Sequence, residues 1–328
     1  MLDADVQLLD RGSERGYDLG VITASHNPAQ DNGFKITFGN NLPVGMGSGM
    51  EEIRDLATSD APMPDAATRG GVEEDPGLLD RYVDAMWKLS GLEDEFEGWR
   101  ISVDAGNGMD GYVLPKLTRK LRGADVRELY WQLDGNFPNH EANPLKNETL
   151  QDLIADVRKS GARFGAAFDG DGDRVGFVDE NGEPIPGDIL TALFAREILK
   201  DKPGGLVLYD VRSSWSVREA IEEAGGTAKM CKVGHANIKR QMREEGAVFA
   251  GELSMHFYFE ELKGLRIGRF GDASAHPDVA ARRETAFADL EAATTLCALG
   301  RDQFHRSRSK GKDRSDRNRL QATSFQLF

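Results

Sequence analysis

The sequence predicts an α/β protein built of tandem three-layer α/β/α sandwich domains with mixed, largely parallel sheets. From residue 100 to residue 250, short apolar runs alternate with runs of helical periodicity, a pattern typical of parallel strands covered by helices on both faces. At 328 residues the chain is too long for one ordinary core. Its composition, 39% hydrophobic and 29% charged, fits a globular protein with more than one core.

The charge of the chain excludes several classes of partner. Lys and Arg total 41 against 55 Asp and Glu, a net charge of −14, which repels nucleic acids and anionic membranes. No apolar run approaches the roughly 18 residues of a membrane span, and no signal-peptide pattern follows Met1. The two cysteines, Cys231 and Cys297, lack metal-ligand spacing and are too few for a disulfide framework. We therefore expect a cytoplasmic protein; its oligomeric state is not predicted.

The first unit, residues 1–92, begins with a polar segment and the buried strand Leu19–Ile22. Residues 40–77 are rich in Gly, Pro and Asp and are predicted to be loop, apart from a short helix at Met50–Ala57. The glycine run at 45–49 has neither a preceding strand nor the Gly-Lys-Ser/Thr ending of a phosphate-binding P-loop. A helix at 76–92 closes the unit.

Two further units continue the α/β alternation, over residues 93–186 and 187–264. In the second unit we predict strands at 100–104, 126–131, 164–168 and 175–178 and helices at 111–121 and 149–160. In the third unit we predict strands at 205–211, 228–233 and 247–250 and helices at 188–201, 215–224 and 235–245.

A Thr-Ala-Ser-His-Asn-Pro stretch at 23–28 follows the first strand and contains a candidate nucleophile. Ser25 lies on the loop at the carboxyl end of the strand, beside the polar groups of His26 and Asn27. An Asn-Gly-Phe-Lys stretch follows at 32–35, where Lys35 supplies a cation that could hold a phosphate. Ser, His, Asn and Pro are also the ordinary residues of turns, so a polar turn is the alternative.

An Asp-Gly-Asp-Gly-Asp-Arg stretch at 169–174 is a candidate metal site. Three carboxylates at alternate positions, separated by glycines, can converge on one oxygen-loving cation, and without a cation they repel each other. A calcium loop of the EF-hand type would use Glu180 as its twelfth residue, but it needs Gly where Arg174 stands and helices where strands are predicted. A solvated acidic turn is the other alternative; magnesium is the interpretation we prefer.

A Gly-Glu-Leu-Ser-Met-His stretch at 251–256 is a candidate sugar site. If the segment is extended, the side chains of Glu252, Ser254 and His256 point to the same side, where they can bind adjacent hydroxyl groups.

Together these three stretches resemble the phosphoserine loop, the metal loop and the sugar-recognition loop of the α-D-phosphohexomutases, the phosphomannomutase and phosphoglucomutase superfamily. The resemblance runs from about residue 19 to about residue 263. It implies a mutase that interconverts hexose 6-phosphate and hexose 1-phosphate, of mannose, glucose or both, through a phosphoserine. It also implies hexose 1,6-bisphosphate as activator and Mg²⁺ as cofactor, bound by the phosphorylated Ser25 and by Asp169, Asp171 and Asp173.

The resemblance also implies roles for other residues. His26, Lys35 and Arg174 join Ser25 in the catalytic group, with Arg174 supporting the serine loop. Substrate contacts fall on Arg212, where the family commonly has Lys, and on Gly234, His235, Glu252, Ser254 and His256. Met255 stands where the family has a small residue. Leu253 fits the glucose and mannose enzymes better than phosphoglucosamine mutase, which stays an alternative, as does a non-catalytic remnant that binds metal or sugar phosphate.

The resemblance stops on either side of this range. The family has a βαβ portion before the serine loop, and a fourth domain with an Arg-x-Ser-x-Thr-type loop that binds phosphate. Residues 265–328 show neither periodicity nor this loop, and in them basic residues outnumber acidic ones. We expect a disordered or out-of-register tail, such as a frameshift would produce, and impaired turnover.

Overall fold

The structure is a computed structural model that describes residues 19–38, 43–60, 62, 68, 70–72, 74–90 and 96–260. The expectations for residues 1–18 and 265–328 lie outside the described residues, and the unit boundaries remain predictions. No helix of the described part is long and apolar enough to cross a membrane. The strands and helices form three sheets with helices packed on the two larger ones, which confirms the predicted α/β class of sandwiches with mixed sheets.

The first sheet is a hairpin of β1 (Leu19–Ile22) and β2 (Phe34–Thr37), paired antiparallel. Strand β2 is not among the strands predicted from the sequence. Two helices follow, α1 (Met50–Ala57) and α2 (Leu78–Ser90). Helix α2 packs Leu79 and Val83 against Val113 of the next unit.

The second sheet has five strands in the order β4-β3-β5-β6-β7. Strands β3, β4 and β5 are parallel, whereas β6 and β7 are antiparallel to their neighbours. The elements are β3 (Arg100–Asp104), α3 (Asp110–Leu117), β4 (Asp125–Leu129), α4 (Gln151–Ser160), β5 (Phe164–Phe168), β6 (Val175–Asp179) and β7 (Pro184–Ile185), with 3₁₀ turns at Thr118–Lys120 and Asn147–Leu150.

The third sheet has four strands in the order β11-β10-β8-β9, of which only β11 runs antiparallel to its neighbour. Its elements are α5 (Gly187–Asp201), β8 (Leu206–Asp210), α6 (Trp215–Glu223), β9 (Thr227–Cys231), α7 (His235–Glu245), β10 (Phe249–Gly251) and β11 (Phe257–Phe259).

Alternation along strand β8 shows why this unit has three layers. Val207 and Tyr209 face a cluster formed with helices α5 and α6, and Leu208, between them, faces Ile238 and Met242 of α7. All three strand side chains are buried. A strand that is apolar on both faces requires a helical layer on each side, so the sheet lies at the centre of a sandwich.

Candidate functional site

The serine loop, residues 23–33, is the connection between β1 and β2. Thr23 begins the loop: its amide donates to Gly33 O at 3.0 Å, and its hydroxyl accepts from the Ser25 amide at 2.9 Å. Ser25 adopts the left-handed conformation, with φ 54°, which is uncommon for a residue with a side chain. Backbone strain of this kind is typical of functional loops held by their surroundings.

The metal loop, residues 169–174, is the corner between the antiparallel strands β5 and β6. The Asp169 side chain is fully buried, and its Oδ1 accepts the amides of Gly172, Asp173 and Arg174 at 3.0 to 3.3 Å. These bonds fold the loop around one carboxylate oxygen. The second oxygen, Oδ2, is left to face the serine loop.

The serine and metal loops meet at short distances. Ser25 Oγ donates to Asp169 Oδ2 at 3.0 Å, and Thr23 Oγ1 donates to Asp171 Oδ2 at 2.7 Å. A Cβ atom at Gly170 would lie 2.4 Å from the carbonyl oxygen of Ser25, so only glycine allows this backbone approach. The two stretches, 144 residues apart in sequence, therefore form one site.

Lys35 joins the two loops by charge. It lies on β2 opposite Val21, and its ammonium group is 2.8 Å from Asp171 Oδ2 and 2.5 Å from Asp173 Oδ2. His26 lies on the other side of the serine, with Nδ1 3.3 Å from Ser25 Oγ. Burial and the positive charge of Arg174 lower the pKa of His26, which favours the neutral imidazole.

The aspartate cluster fits a hard divalent cation. Ligand oxygens of Asp169, Asp171 and Asp173 lie within 4.8 Å of one another. Among the described residues, the buried Asp171 Oδ1 has no hydrogen-bond partner. Burial, together with the charges of Asp173 and Asp171, raises the pKa of Asp169 to about 8. An all-oxygen set of three carboxylates with an unpartnered buried oxygen matches the preference of Mg²⁺.

The EF-hand alternative does not fit the geometry. The metal loop is flanked by strands, and Glu180 follows the whole of β6 instead of joining the aspartate cluster. Its side chain is exposed and accepts from Asn181.

The sugar loop, residues 252–256, is the corner between the antiparallel strands β10 and β11. The expected extended segment is wrong: the amide of Met255 donates to Glu252 O and the amide of Glu252 donates to His256 O, both at 3.0 Å, which closes a turn. Met255 has φ 65°, a conformation that its side chain disfavours and that the sequence therefore could not predict. The turn brings Glu252, Ser254 and His256 together by a different route.

Glu252 is the buried centre of the sugar loop. Its Oε1 accepts the Gly234 amide at 3.1 Å, and its Oε2 accepts Tyr258 OH at 2.7 Å and lies 3.2 Å from His256 Nδ1. Burial alone would raise the pKa of Glu252, but the hydrogen bonds from His256, Tyr258 and Gly234 lower it to about 2. The carboxylate is therefore ionised and fixed in place.

The other predicted substrate contacts lie around this centre. Arg212 donates to the buried Asp210 at 2.6 Å and lies 3.4 Å from Ser254 Oγ, with its side chain partly exposed. Gly234 precedes α7 with φ 109° and points its amide at Glu252. His235 is the exposed first residue of α7.

His256 links the sugar loop to the metal loop. Its Nε2 lies 3.2 Å from both Asp173 Oδ1 and Arg174 Nε, and its Nδ1 lies 3.1 Å from Ser254 Oγ. Burial lowers the pKa of His256, but hydrogen bonds to Asp173 and Glu252 outweigh it and raise the pKa to about 9. Arg174 is also 3.7 Å from Asp169 Oδ2, the oxygen that accepts from Ser25 Oγ.

Three polar residues of the site escaped the sequence analysis. Thr23 bonds both Ser25 and Asp171, Tyr258 bonds Glu252, and Asp210 holds Arg212 and accepts the Leu253 amide at 3.0 Å. Asp210 ends a buried strand, a position at which an acidic side chain signals a ligand or an ion pair. Thr23 and Tyr258 adjoin the motifs themselves.

The fold and the site define a class of α/β protein in which a loop serine, an acidic metal loop and a polar sugar loop converge. Family models described as "Phosphoglucomutase/phosphomannomutase, alpha/beta/alpha domain II" and "domain III" match residues 80–182 and 186–273. The chain belongs to the phosphoglucomutase/phosphomannomutase family, within the α-D-phosphohexomutase superfamily.

Individual relatives agree with this assignment. The phosphomannomutase/phosphoglucomutase of Pseudomonas putida is 39% identical over 241 residues, 74% of this chain and 50% of that protein. The phosphomannomutase of Methanocaldococcus jannaschii is 40% identical over 256 residues, 76% and 55% respectively. The chain thus spans about half the length of the curated relatives it matches.

Solved structures show the same fold. A phosphoglucomutase/phosphomannomutase family protein of Burkholderia thailandensis has a TM-score of 0.67 at 33% identity, covering 81% of this chain and 57% of that one. The N-acetylphosphoglucosamine mutase of Aspergillus fumigatus, solved with GlcNAc-6P and magnesium, has a TM-score of 0.55 at 16% identity, covering 87% and 69%; at that identity the likeness concerns the fold alone.

Proposed function

We propose that this chain acts as a phosphohexomutase, moving a phosphoryl group between the 1- and 6-positions of mannose or glucose phosphates through Ser25. The observation that carries the proposal is the convergence of three loops: Ser25 Oγ is 3.0 Å from Asp169, and Asp173 of the same metal loop is 3.2 Å from His256 of the sugar loop. These contacts support a site in which a nucleophile, a cation site and hydroxyl-binding groups act together.

In the proposed reaction the phosphate of phosphorylated Ser25 passes to a sugar hydroxyl. The bond between phosphorus and Ser25 Oγ breaks as the sugar oxygen bonds to phosphorus, and the hydroxyl proton leaves to a neighbouring base. The bisphosphate then turns over and returns its other phosphate to Ser25. Hexose 1,6-bisphosphate supplied from outside would phosphorylate a chain that lacks the serine phosphate.

Residues of this chain position the reacting groups. Asp169 orients the Ser25 hydroxyl, and Lys35 lies where its ammonium group can hold phosphate oxygens and exchange a proton. His26, neutral because its pKa is lowered, is suited to accept or relay a proton beside Ser25 Oγ. Glu252, Ser254 and His256 are placed to bind sugar hydroxyls, with Arg212, Gly234 and His235 at the rim.

We assign the metal site to Mg²⁺, held by Asp169, Asp171 and Asp173 with the serine phosphate as a further ligand. When bound, Mg²⁺ supplies positive charge that offsets the charge of phosphoryl transfer. Without it, Lys35, Arg174 and His256 are the cationic groups beside the three carboxylates in the described part of the chain. We also propose a cytoplasmic location, where sugar phosphates are found.

Phosphorylation of Ser25 tests the proposal. The chain is incubated with glucose 1,6-bisphosphate and Mg²⁺, and the intact protein and its peptides are weighed by mass spectrometry. We expect one added phosphoryl group on the 23–28 peptide, absent in Ser25→Ala and retained in Ser59→Ala, a control at an exposed serine at the end of α1. An unmodified Ser25, or phosphate on another residue, contradicts the proposal.

A further inference from the structure

We propose that Met255 is a positioning residue that locks the sugar loop onto strand β6 of the metal-binding unit. The contact of Met255 with β6 does not depend on the proposed function, whereas its consequence for sugar phosphate binding rests on that function. Met255 is 7% exposed, and its backbone is left-handed, with φ 65°. A side chain in this conformation costs free energy that a glycine would not, so the contacts of the methionine must offset the strain.

The side chain of Met255 fits against a gap in β6. An ideal Cβ at Gly176 would lie 2.9 Å from Met255 Sδ and 3.0 Å from Pro144 Cβ. The thioether therefore occupies the space above a buried glycine, next to a proline of the loop that precedes Asn147–Leu150. Methionine is suited to an irregular gap of this kind because its side chain is flexible and unbranched.

The backbone of Met255 makes a second contact with the same strand. Its carbonyl oxygen accepts the amide of Val175, the first residue of β6, at 3.3 Å. The neighbouring His256 is 3.2 Å from Asp173. Consecutive residues of the sugar loop thus face the metal loop and the beginning of β6.

This arrangement fixes the distance from the metal cluster to the sugar-binding groups. The turn that contains Met255 also contains Glu252 and His256, so a shift of Met255 over Gly176 moves both relative to Asp173. Phosphoryl transfer depends on such distances, because small displacements of bound groups reduce the rate steeply. A residue that merely filled a core would affect stability and leave ligand binding unchanged.

The test compares Met255→Gly, which removes both the thioether and the backbone strain, with Met255→Leu, which keeps the volume. Both variants are measured by hydrogen exchange at the Val175 amide and by calorimetry with glucose 1-phosphate in the presence of Mg²⁺. We expect Met255→Gly to raise the hydrogen-exchange rate of the Val175 amide about tenfold and to weaken the binding of glucose 1-phosphate about tenfold. Its affinity for Mg²⁺ should be nearly unchanged. Met255→Leu should have nearly the same Val175 exchange rate and glucose 1-phosphate affinity as the unmodified protein.

A second pair keeps the test valid if Met255→Gly folds poorly. In Gly176→Ala, the new methyl group should push against the thioether and raise the hydrogen-exchange rate of the Val175 amide. In the double variant Gly176→Ala with Met255→Gly, the rise in exchange rate should be smaller than the sum of the two single effects. The proposed lock would be wrong if the effects of the two changes on Val175 exchange were additive. It would also be wrong if Met255→Gly folded and its Val175 exchange rate were unchanged. If the unmodified chain does not bind glucose 1-phosphate, the proposed function fails, while the exchange results still decide the lock.

Discussion

The metal loop and the sugar loop have the same local architecture, but their carboxylates are hydrogen-bonded to different extents. Each is the corner of an antiparallel strand pair in a mixed sheet. In the sugar loop, both oxygens of the single buried carboxylate, Glu252, have hydrogen-bond donors. In the metal loop, three carboxylates crowd together and, among the described residues, Asp171 Oδ1 has no hydrogen-bond partner.

The sugar loop is complete by itself, whereas the metal loop is not. A buried carboxylate with all its hydrogen bonds stabilises a fixed geometry, whereas like charges in contact store repulsion that a cation relieves. The sugar loop, whose carboxylate has donors on both oxygens, therefore has a fixed geometry of its own. In the metal loop, Lys35, Arg174 and His256 are the cationic groups that the described residues place beside the three carboxylates, and Asp171 Oδ1 still lacks a hydrogen-bond partner among them.

The largest expected effect comes from Gly170→Ala, which separates the serine loop from the metal loop. The new Cβ would lie 2.4 Å from the Ser25 carbonyl oxygen, a contact between backbones that cannot yield easily. We expect the rate of Ser25 phosphorylation by glucose 1,6-bisphosphate to fall about 10²-fold or more. The control is Gly135→Ala, where a Cβ meets no atom within 4 Å. An unimpaired Gly170→Ala would show that the contact between the loops is not required.

In the absence of metal, replacing a carboxylate by its amide should lower the stability more in the sugar loop than in the metal loop. Glu252→Gln leaves hydrogen bonds from Tyr258, His256 and the Gly234 amide wholly or partly unmade in a buried site, and should lower the free energy of unfolding by about 1–3 kcal/mol. Asp171→Asn also relieves repulsion among the aspartates, so it should cost less. Urea unfolding in a chelator measures both. An equal or greater loss in Asp171→Asn would remove the distinction between the loops.

The smallest expected effect is a pH dependence of stability that arises from His140, in the connection between β4 and α4. His140 Nε2 is 2.9 Å from the buried Asp104, and its ring contacts Tyr130, whose hydroxyl bonds Asp152. Burial lowers the pKa of His140, but the hydrogen bonds to Asp104 and to Glu141 O outweigh it and raise the pKa above 6.5.

The sign of this pH effect follows from linkage. A raised pKa in the folded state gives stability that is fully present below about pH 6.5 and lost as the pH rises through the folded value. The gap in unfolding midpoint between the unmodified chain and His140→Gln should therefore be widest below pH 6.5 and narrow above it. A gap that is constant with pH would show that His140 contributes only by packing.

Much of the fold was predictable from local patterns. The strands Leu19–Ile22, Arg100–Asp104 and Phe164–Phe168 lie where the sequence predicts them, because each is a short apolar run with clear flanks. Strand β2 was not predictable, because its pairing with β1 depends on partners across the serine loop.

The candidate site divides in the same way. The sequence motifs name Ser25, the three aspartates and Glu252, and the structure joins these groups through a chain of side-chain contacts. Their roles remain predictions. The contacts of Thr23 with Asp171 and of Tyr258 with Glu252 are tertiary, so no period reveals them. The turn at Met255 was predicted as extended chain because local preferences disfavour a left-handed methionine.

Magnesium titration by calorimetry measures directly whether the metal loop, and not the sugar loop, binds a cation. The account predicts a single Mg²⁺ site in the unmodified chain, sharply weakened in Asp171→Asn and preserved in Glu148→Gln, an exposed acidic control in the same unit, and in Glu252→Gln. Unchanged Mg²⁺ affinity in Asp171→Asn, or no binding by the unmodified chain, would contradict it.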